Sequence, residues 1–228
     1  MQKCYEMQHR LILIISSVIF SLSFQKIDAQ KKKKFFNENI LTEVKIIQKR
    51  FSDSVARYDY KKDSILFSSK YRQFYSDKID GLKNLYENLY DKHKLIGKYD
   101  SGIFIRHTEP PKEDQKPEVF TEIEIREIVD ADQIENYQQV DDLRKSLPIN
   151  FPFHLFEDGA EDLYKCILTY FVDVDGKFKR IRYSGKNIEF NLISALYLYA
   201  IGGFEKPFFY NKKPLVRIFA QPITLNLQ

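Results

Sequence analysis

In the first half of the chain, apolar residues recur every three or four positions. Between Phe35 and Ala56, Leu41, Val44 and Ile47 keep that spacing, with Ile40 and Phe51 beside them. The pattern predicts a helix whose N-cap is Asn37 or Asn39. A longer stripe follows Asp63, a good N-cap residue: Phe67, Tyr71, Tyr75, Ile79, Leu82, Tyr86 and Leu89. It predicts a helix reaching His93, paired antiparallel with the first around Tyr58-Asp59-Tyr60. Gly81 lies inside this helix and costs on the order of 1 kcal/mol relative to Ala. So many tyrosines suit a half-wet packing face better than a ligand site.

The period then changes. Gly97 and Gly102 close the helical part, and Ile103-Phe104-Ile105 reads as a short strand. The stretch from Glu109 to Pro117 is polar and proline-bearing with no apolar period, which marks an exposed linker. Val119 to Val129 alternates Ile123 and Ile125 with charged neighbours, as a half-buried strand does. Val140 to Leu147 reads as a short helix stopped by Pro148, and Phe151-Pro152 as an extended link. Leu163 to Val174 is a long strand with Asp175-Gly176 as the signal for a tight two-residue turn, and Phe178 to Tyr183 as its partner. Asn187 caps a helix with Leu192, Ala195, Leu196 and Tyr199 on one face, ended by Gly202-Gly203. Asn211 to Pro214 then turns into a last strand from Leu215 to Leu227.

These elements predict an α+β fold, a small antiparallel sheet with a crossover helix, preceded by an α-helical segment. The expected divisions are a leader over residues 1–29, a helical segment over 30–108, a linker over 109–118 and the α+β domain over 119–228. The helical segment is expected to pack independently of that domain.

The leader reading rests on Lys3 and Arg10, which precede an apolar run from Leu11 to Phe24 interrupted only by serines. Ile27-Asp28-Ala29 follows as a cleavage point. The run is short for a spanning helix, which needs about 20 apolar residues. The alternative is an uncleaved inner-membrane anchor, against which the basic run Lys31 to Lys34 counts. Cleavage after Ala29 would remove Cys4 and leave Cys166 alone in a strand, a buried and inert thiol.

Across 228 residues, 36 basic and 32 acidic side chains are interspersed, for a formal charge of +4. Apart from Lys31 to Lys34 no segment concentrates basic residues, so a nucleic-acid partner is not expected. With 43% apolar residues the chain can build a core. Asp173 and Asp175 fit turn chemistry better than a calcium loop, because Lys177, Lys179 and Arg180 follow and no glutamate occupies the last ligand position. Glu157, Asp158, Glu161 and Asp162 read as a solvated loop. His93, His107 and His154 stand singly, and neither a nucleophile elbow nor a phosphate-binding glycine loop is present. No cofactor, metal or catalytic residue is assigned, and an enzyme is not expected.

One order of features is more specific than any of its parts. Leu147 and Phe151-Pro152 lead into the hairpin Phe171-Val172-Asp173-Val174-Asp175-Gly176-Lys177. A helix ending at glycines, Lys206-Pro207, and Pro214 eight residues before Pro222-Ile223 follow. This layout resembles the C-terminal domain of TonB, the periplasmic module by which energy transducers grip outer-membrane transporters, over roughly Val140 to Leu227. The resemblance implies a hairpin, a crossover helix and a last strand at the sheet edge. It departs from the family at Glu161 to Lys165, which replace a glycine-rich approach to the first strand, and at Glu205, which replaces an aromatic residue. In the last strand Arg217 and Gln221 stand where apolar residues are usual. Val216, Ile218 and Ala220 supply one apolar parity, and Ile223, Leu225 and Leu227 the other, so either the register differs or Pro222 marks a bulge.

The expected function is therefore that of a non-enzymatic periplasmic or envelope-associated protein, exported and linked to TonB-dependent outer-membrane transport. Its last strand would bind a transporter segment or a second copy by edge-strand addition. Arg217, Phe219, Gln221, Thr224 and Asn226 are the candidate partner-binding residues, with Arg217, Thr224 and Asn226 expected to point outward. The alternatives are a membrane-anchored TonB-type energy transducer and a structural envelope protein working through its tyrosine-rich helices. Membrane contact is expected only if the leader is uncleaved.

Overall fold

Asn37 opens the first helix, its side-chain oxygen accepting the Asn39 N–H at 3.2 Å, and α1 spans Glu38–Val55. Asp63 caps α2, Ser64–Lys92, by accepting the Leu66 N–H at 2.9 Å. The two run antiparallel, with the Phe51 ring edge-on to Tyr71 and Tyr75 at 5.4 and 6.2 Å. A Cβ placed at Gly81 would lie 3.4 Å from Ile47, so packing does not demand the glycine. The computed structural model describes residues 37–106, 127–156 and 163–226, all within the compact unit that begins at Asn37. The leader, the linker over 109–118 and the positions of Ile123, Ile125 and His107 lie outside the described residues.

Two short strands, β1 (Ile103–Arg106) and β2 (Glu127–Asp130), pair in parallel. Helix α3, Gln139–Ile149, carries Pro148 in its last turn instead of ending before it. A proline there removes one N–H, and the Asn150 N–H still reaches the Ser146 carbonyl at 3.1 Å. Pro152 starts a short 3-10 turn, not an extended link, and Phe151 before it is buried.

The main sheet has the order β4-β3-β7 and is antiparallel throughout. Its strands are β3 (Leu163–Val172), β4 (Phe178–Gly185) and β7 (Arg217–Asn226). The β3–β4 turn has three residues, not two. Gly176 sits at φ +76° with its N–H on the Asp173 carbonyl, and the Asp173 N–H reaches the Lys177 carbonyl. This is the arrangement in which a left-handed glycine closes a three-residue hairpin. Further along, the ladder shifts register between Thr169 and Phe171, where Arg180 has φ +51°. That bulge lets Phe178 and Ile181, three positions apart, both point into the core.

Asn187 caps α4, Ile188–Ile201, by accepting the Phe190 N–H, and Gly202 at φ +82° ends it. The helix does not bury a single face as its sequence suggests: every residue from Glu189 to Ala200 is buried. The sheet covers one side and α1 with α2 cover the other. Ile40, Val44 and Leu82 of the helical pair share a continuous core with Leu168, Ile181 and Leu196. The helical segment thus packs as part of the α+β unit, not independently of it. Its tyrosines take part, Tyr86 donating its hydroxyl to the Ile181 carbonyl at 2.8 Å.

Two charged contacts fix this arrangement. Lys78 and Glu189, 1% and 0% exposed at their side chains, form an ion pair between α2 and α4. Tyr75 donates to the other carboxylate oxygen at 3.1 Å, and Phe51 stacks under the ammonium at 4.9 Å. At the hairpin, the buried Asp173 carboxylate accepts the Ile96 and Gly97 N–H groups at 2.6 and 2.8 Å, and Lys179 at 3.0 Å. Burial pushes the Asp173 carboxyl up, but these donors and the Val174 N–H outweigh it and hold it below the ordinary range. Asp173 is therefore a clasp on the loop after α2, while Asp175 accepts the Lys177 N–H and pairs with Lys179 within the hairpin.

After α4, β5 (Phe208–Tyr210) and β6 (Lys213–Leu215) form a hairpin that the sequence did not announce. Asn211 and Lys212 are both left-handed, at φ 49° and 63°, as a two-residue turn requires. The last strand consequently starts at Arg217, not at Leu215.

Breaking the buried ion pair on one side leaves an uncompensated charge. Glu189→Leu or Lys78→Met alone is expected to cost about 3–5 kcal/mol in urea unfolding, and the double replacement to recover most of that loss. A double variant as unstable as the two single losses summed would show that the charges do not act as a pair.

Candidate protein-binding edge

Strand β7 pairs with β3 one-for-one over its whole length, from Leu163 opposite Asn226 to Val172 opposite Arg217. Ile167 faces Pro222 without any register shift. The irregularity allowed for at Pro222 is absent from this ladder, and the bulge lies between β3 and β4 instead. One parity of β7 is inward from end to end: Arg217, Gln221, Ile223 and Leu225 are buried and Phe219 is half-buried.

This places the five candidate residues on two opposite faces. Arg217, expected outward, points inward. Its Nη1 donates to the Ile103 and Asp100 carbonyls at 2.6 and 3.4 Å, and its guanidinium lies 5.7 Å from the Tyr99 ring centre. Burial lowers its pKa from the usual arginine value. Phe219 packs among Tyr170, Phe208 and Tyr137 at ring distances of 5.8, 5.7 and 6.2 Å. The Gln221 amide donates to the Pro222 carbonyl at 2.9 Å. Thr224 and Asn226 are exposed.

The exposed parity of β7 is Ile218, Ala220, Pro222, Thr224 and Asn226, and none of these is charged. On the same face of β3, Leu163 and Ile167 are 44% and 51% exposed. At the hairpin end that face is closed, because the loop after α2 lays Tyr99 edge-on to Phe171 at 5.6 Å. Ile218, Pro222, Ile167 and Leu163 are not among the five candidate partner-binding residues. The available signal was Pro222 itself, since a proline inside a strand is confined to a sheet edge. Among the described residues no further strand lies beyond β7.

Cys166 is buried, and burial pushes its thiol up to about 11, as suits an inert side chain. Among the described residues no group of three or more His, Cys, Asp or Glu side chains is placed to hold a metal ion. Nor, among them, is any helix long and apolar enough to cross a membrane; the run from Leu11 to Phe24 lies outside. No protein-family model, curated protein or solved structure matches the chain.

The single register makes Ile218 and Ile223 opposites. Ile223→Asp is expected to abolish cooperative thermal unfolding by burying an unpaired charge, whereas Ile218→Asp shifts stability by about 0.5 kcal/mol or less. Equal damage from both would mean that the strand has two registers.

Proposed function

We propose that this is an exported, non-enzymatic envelope protein that binds an extended segment of another protein by strand addition to β7. The observation that carries the reading is a ten-residue strand with no further strand beside it among the described residues and no charge on its solvent-facing positions. Proteins that keep an edge single place lysines, other charges or prolines there. Here Pro222 is the one residue on that parity that interrupts pairing. A strand proline sits where its missing N–H faces away from the ladder. By that rule Ile218, Ala220, Thr224 and Asn226 offer their N–H groups to an incoming strand.

Each backbone hydrogen bond formed nets about 0.5–1.5 kcal/mol, so a few of them give modest affinity. Specificity then comes from side chains of the added segment against Ile218, Pro222, Ile167 and Leu163. The resemblance to the TonB C-terminal domain supports the same reading, since the chain has a hairpin, a crossover helix and a last strand at the edge. It also names the partner class: a periplasmic segment of an outer-membrane transporter.

A photo-crosslinker at Asn226, in the exported chain in its own envelope, is expected to capture a transporter, and Thr224→Pro to abolish the adduct while leaving the melting temperature unchanged. Undiminished capture by folded Thr224→Pro would exclude strand addition along this edge. N-terminal sequencing of the same material is expected to begin at Gln30; an intact N-terminus held in the membrane fraction would point to the anchored transducer instead.

A further inference from the structure

A cleft of about 880 Å³ opens between the loop after α2 and the β5–β6 hairpin, away from the exposed parity of β7. Its volume falls within the usual range for small-molecule sites, about 300–1,000 Å³. Tyr99, Tyr210 and Leu215 give it an aromatic and apolar wall, and Lys98 and Lys213 stand beside them. The acids present are already engaged. Asp100 accepts the Gly102 N–H at 2.9 Å, and Glu127 accepts the Tyr210 hydroxyl in a short hydrogen bond. Lys98 and Lys213 form no ion pair among the described residues.

Behind this wall lies Arg217, 7% exposed. Its acceptors are two carbonyls of the wall, those of Asp100 and Ile103, and its Nε has no hydrogen-bond partner among the described residues. A buried guanidinium is ordinarily matched by a carboxylate, because an unpaired buried charge is costly. Among the described residues, Lys98 and Lys213 of the lining and Arg217 behind it stand against two acids, Asp100 and Glu127, which leaves one positive charge over. We infer that the cleft binds a small monocarboxylate with an aromatic or apolar body, its charge held by Lys98 and Lys213 over the buried field of Arg217. This does not depend on strand addition at β7.

Benzoate is a suitable probe, with the neutral isostere benzamide and inorganic phosphate as separate arms, titrated into the full mature chain and followed by amide NMR shifts. Saturable shifts are expected in Lys98 to Ile103 and Tyr210 to Val216, with benzamide weaker by about tenfold or more. Lys98→Gln with Lys213→Gln, both at exposed positions, is expected to weaken benzoate by a similar factor without altering the melting temperature. Equal binding of benzoate and benzamide, tighter binding of phosphate, shifts confined to other residues, or no saturation at millimolar benzoate would each overturn the assignment.

Discussion

Helix α4 has no face for water, and the rest of the structure follows from that. Residues Glu189 to Ala200 are buried on every side, so a sheet on one flank is not enough to cover the helix. A helix whose apolar residues extend beyond one stripe must be enclosed on more than one side. The α1–α2 pair supplies the second cover, which is why segments far apart in sequence build one core. The tyrosine-rich stripe of α2 is accordingly spent largely on packing inside the molecule. Tyr86 reaches the carbonyl of Ile181, at the bulge that lets β4 keep two side chains in that core.

Enclosure also explains the charged contacts. Glu189 lies in the first turn of α4, where a carboxylate is favoured by the helix N-terminus, yet it is shut off from solvent and needs a cation. Lys78 provides one, and so fixes how α2 lies along α4. At the opposite side of the sheet, Asp173 draws the loop after α2 over the hairpin end. Tyr99 then covers Phe171 while Leu163, Ile167, Ile218 and Pro222 stay open. The same clasp that secures the fold therefore decides which part of the outer face remains available to a partner, and it forms one wall of the cleft beside Arg217.

Local signals are legible in the sequence. Asn37, Asp63 and Asn187 each cap the helix they precede, Gly176 and Gly202 take the left-handed conformations their turns need, and the hairpin, crossover helix and last strand fall in the order anticipated. What was not legible depends on tertiary context. The sequence marks one face of α4, through Leu192, Ala195, Leu196 and Tyr199, yet Asn191, Ser194 and Tyr197 on its other sides are buried too. Lys78 and Glu189 resemble ordinary solvent residues until the other helix is in place. Arg217 and Gln221 stand where apolar residues are usual, so a strand of one register reads as having two; inside, Arg217 Nη1 donates to carbonyls of the loop after α2 and the Gln221 amide to that of Pro222. The β5–β6 turn uses Asn211-Lys212, which lacks the glycine that would have announced it. The independent helical segment was inferred from a linker's composition, which says nothing of what packs across it.

Helix α4 holds α1, α2 and the sheet as one cooperative unit. Native-state hydrogen exchange measures this directly. Core amides of α1, α2 and α4 are expected to exchange through a single opening, with the same free energy and the same denaturant dependence. Exchange of α1 and α2 through a separate, much smaller opening, while α4 and β3 remain protected, would contradict the account.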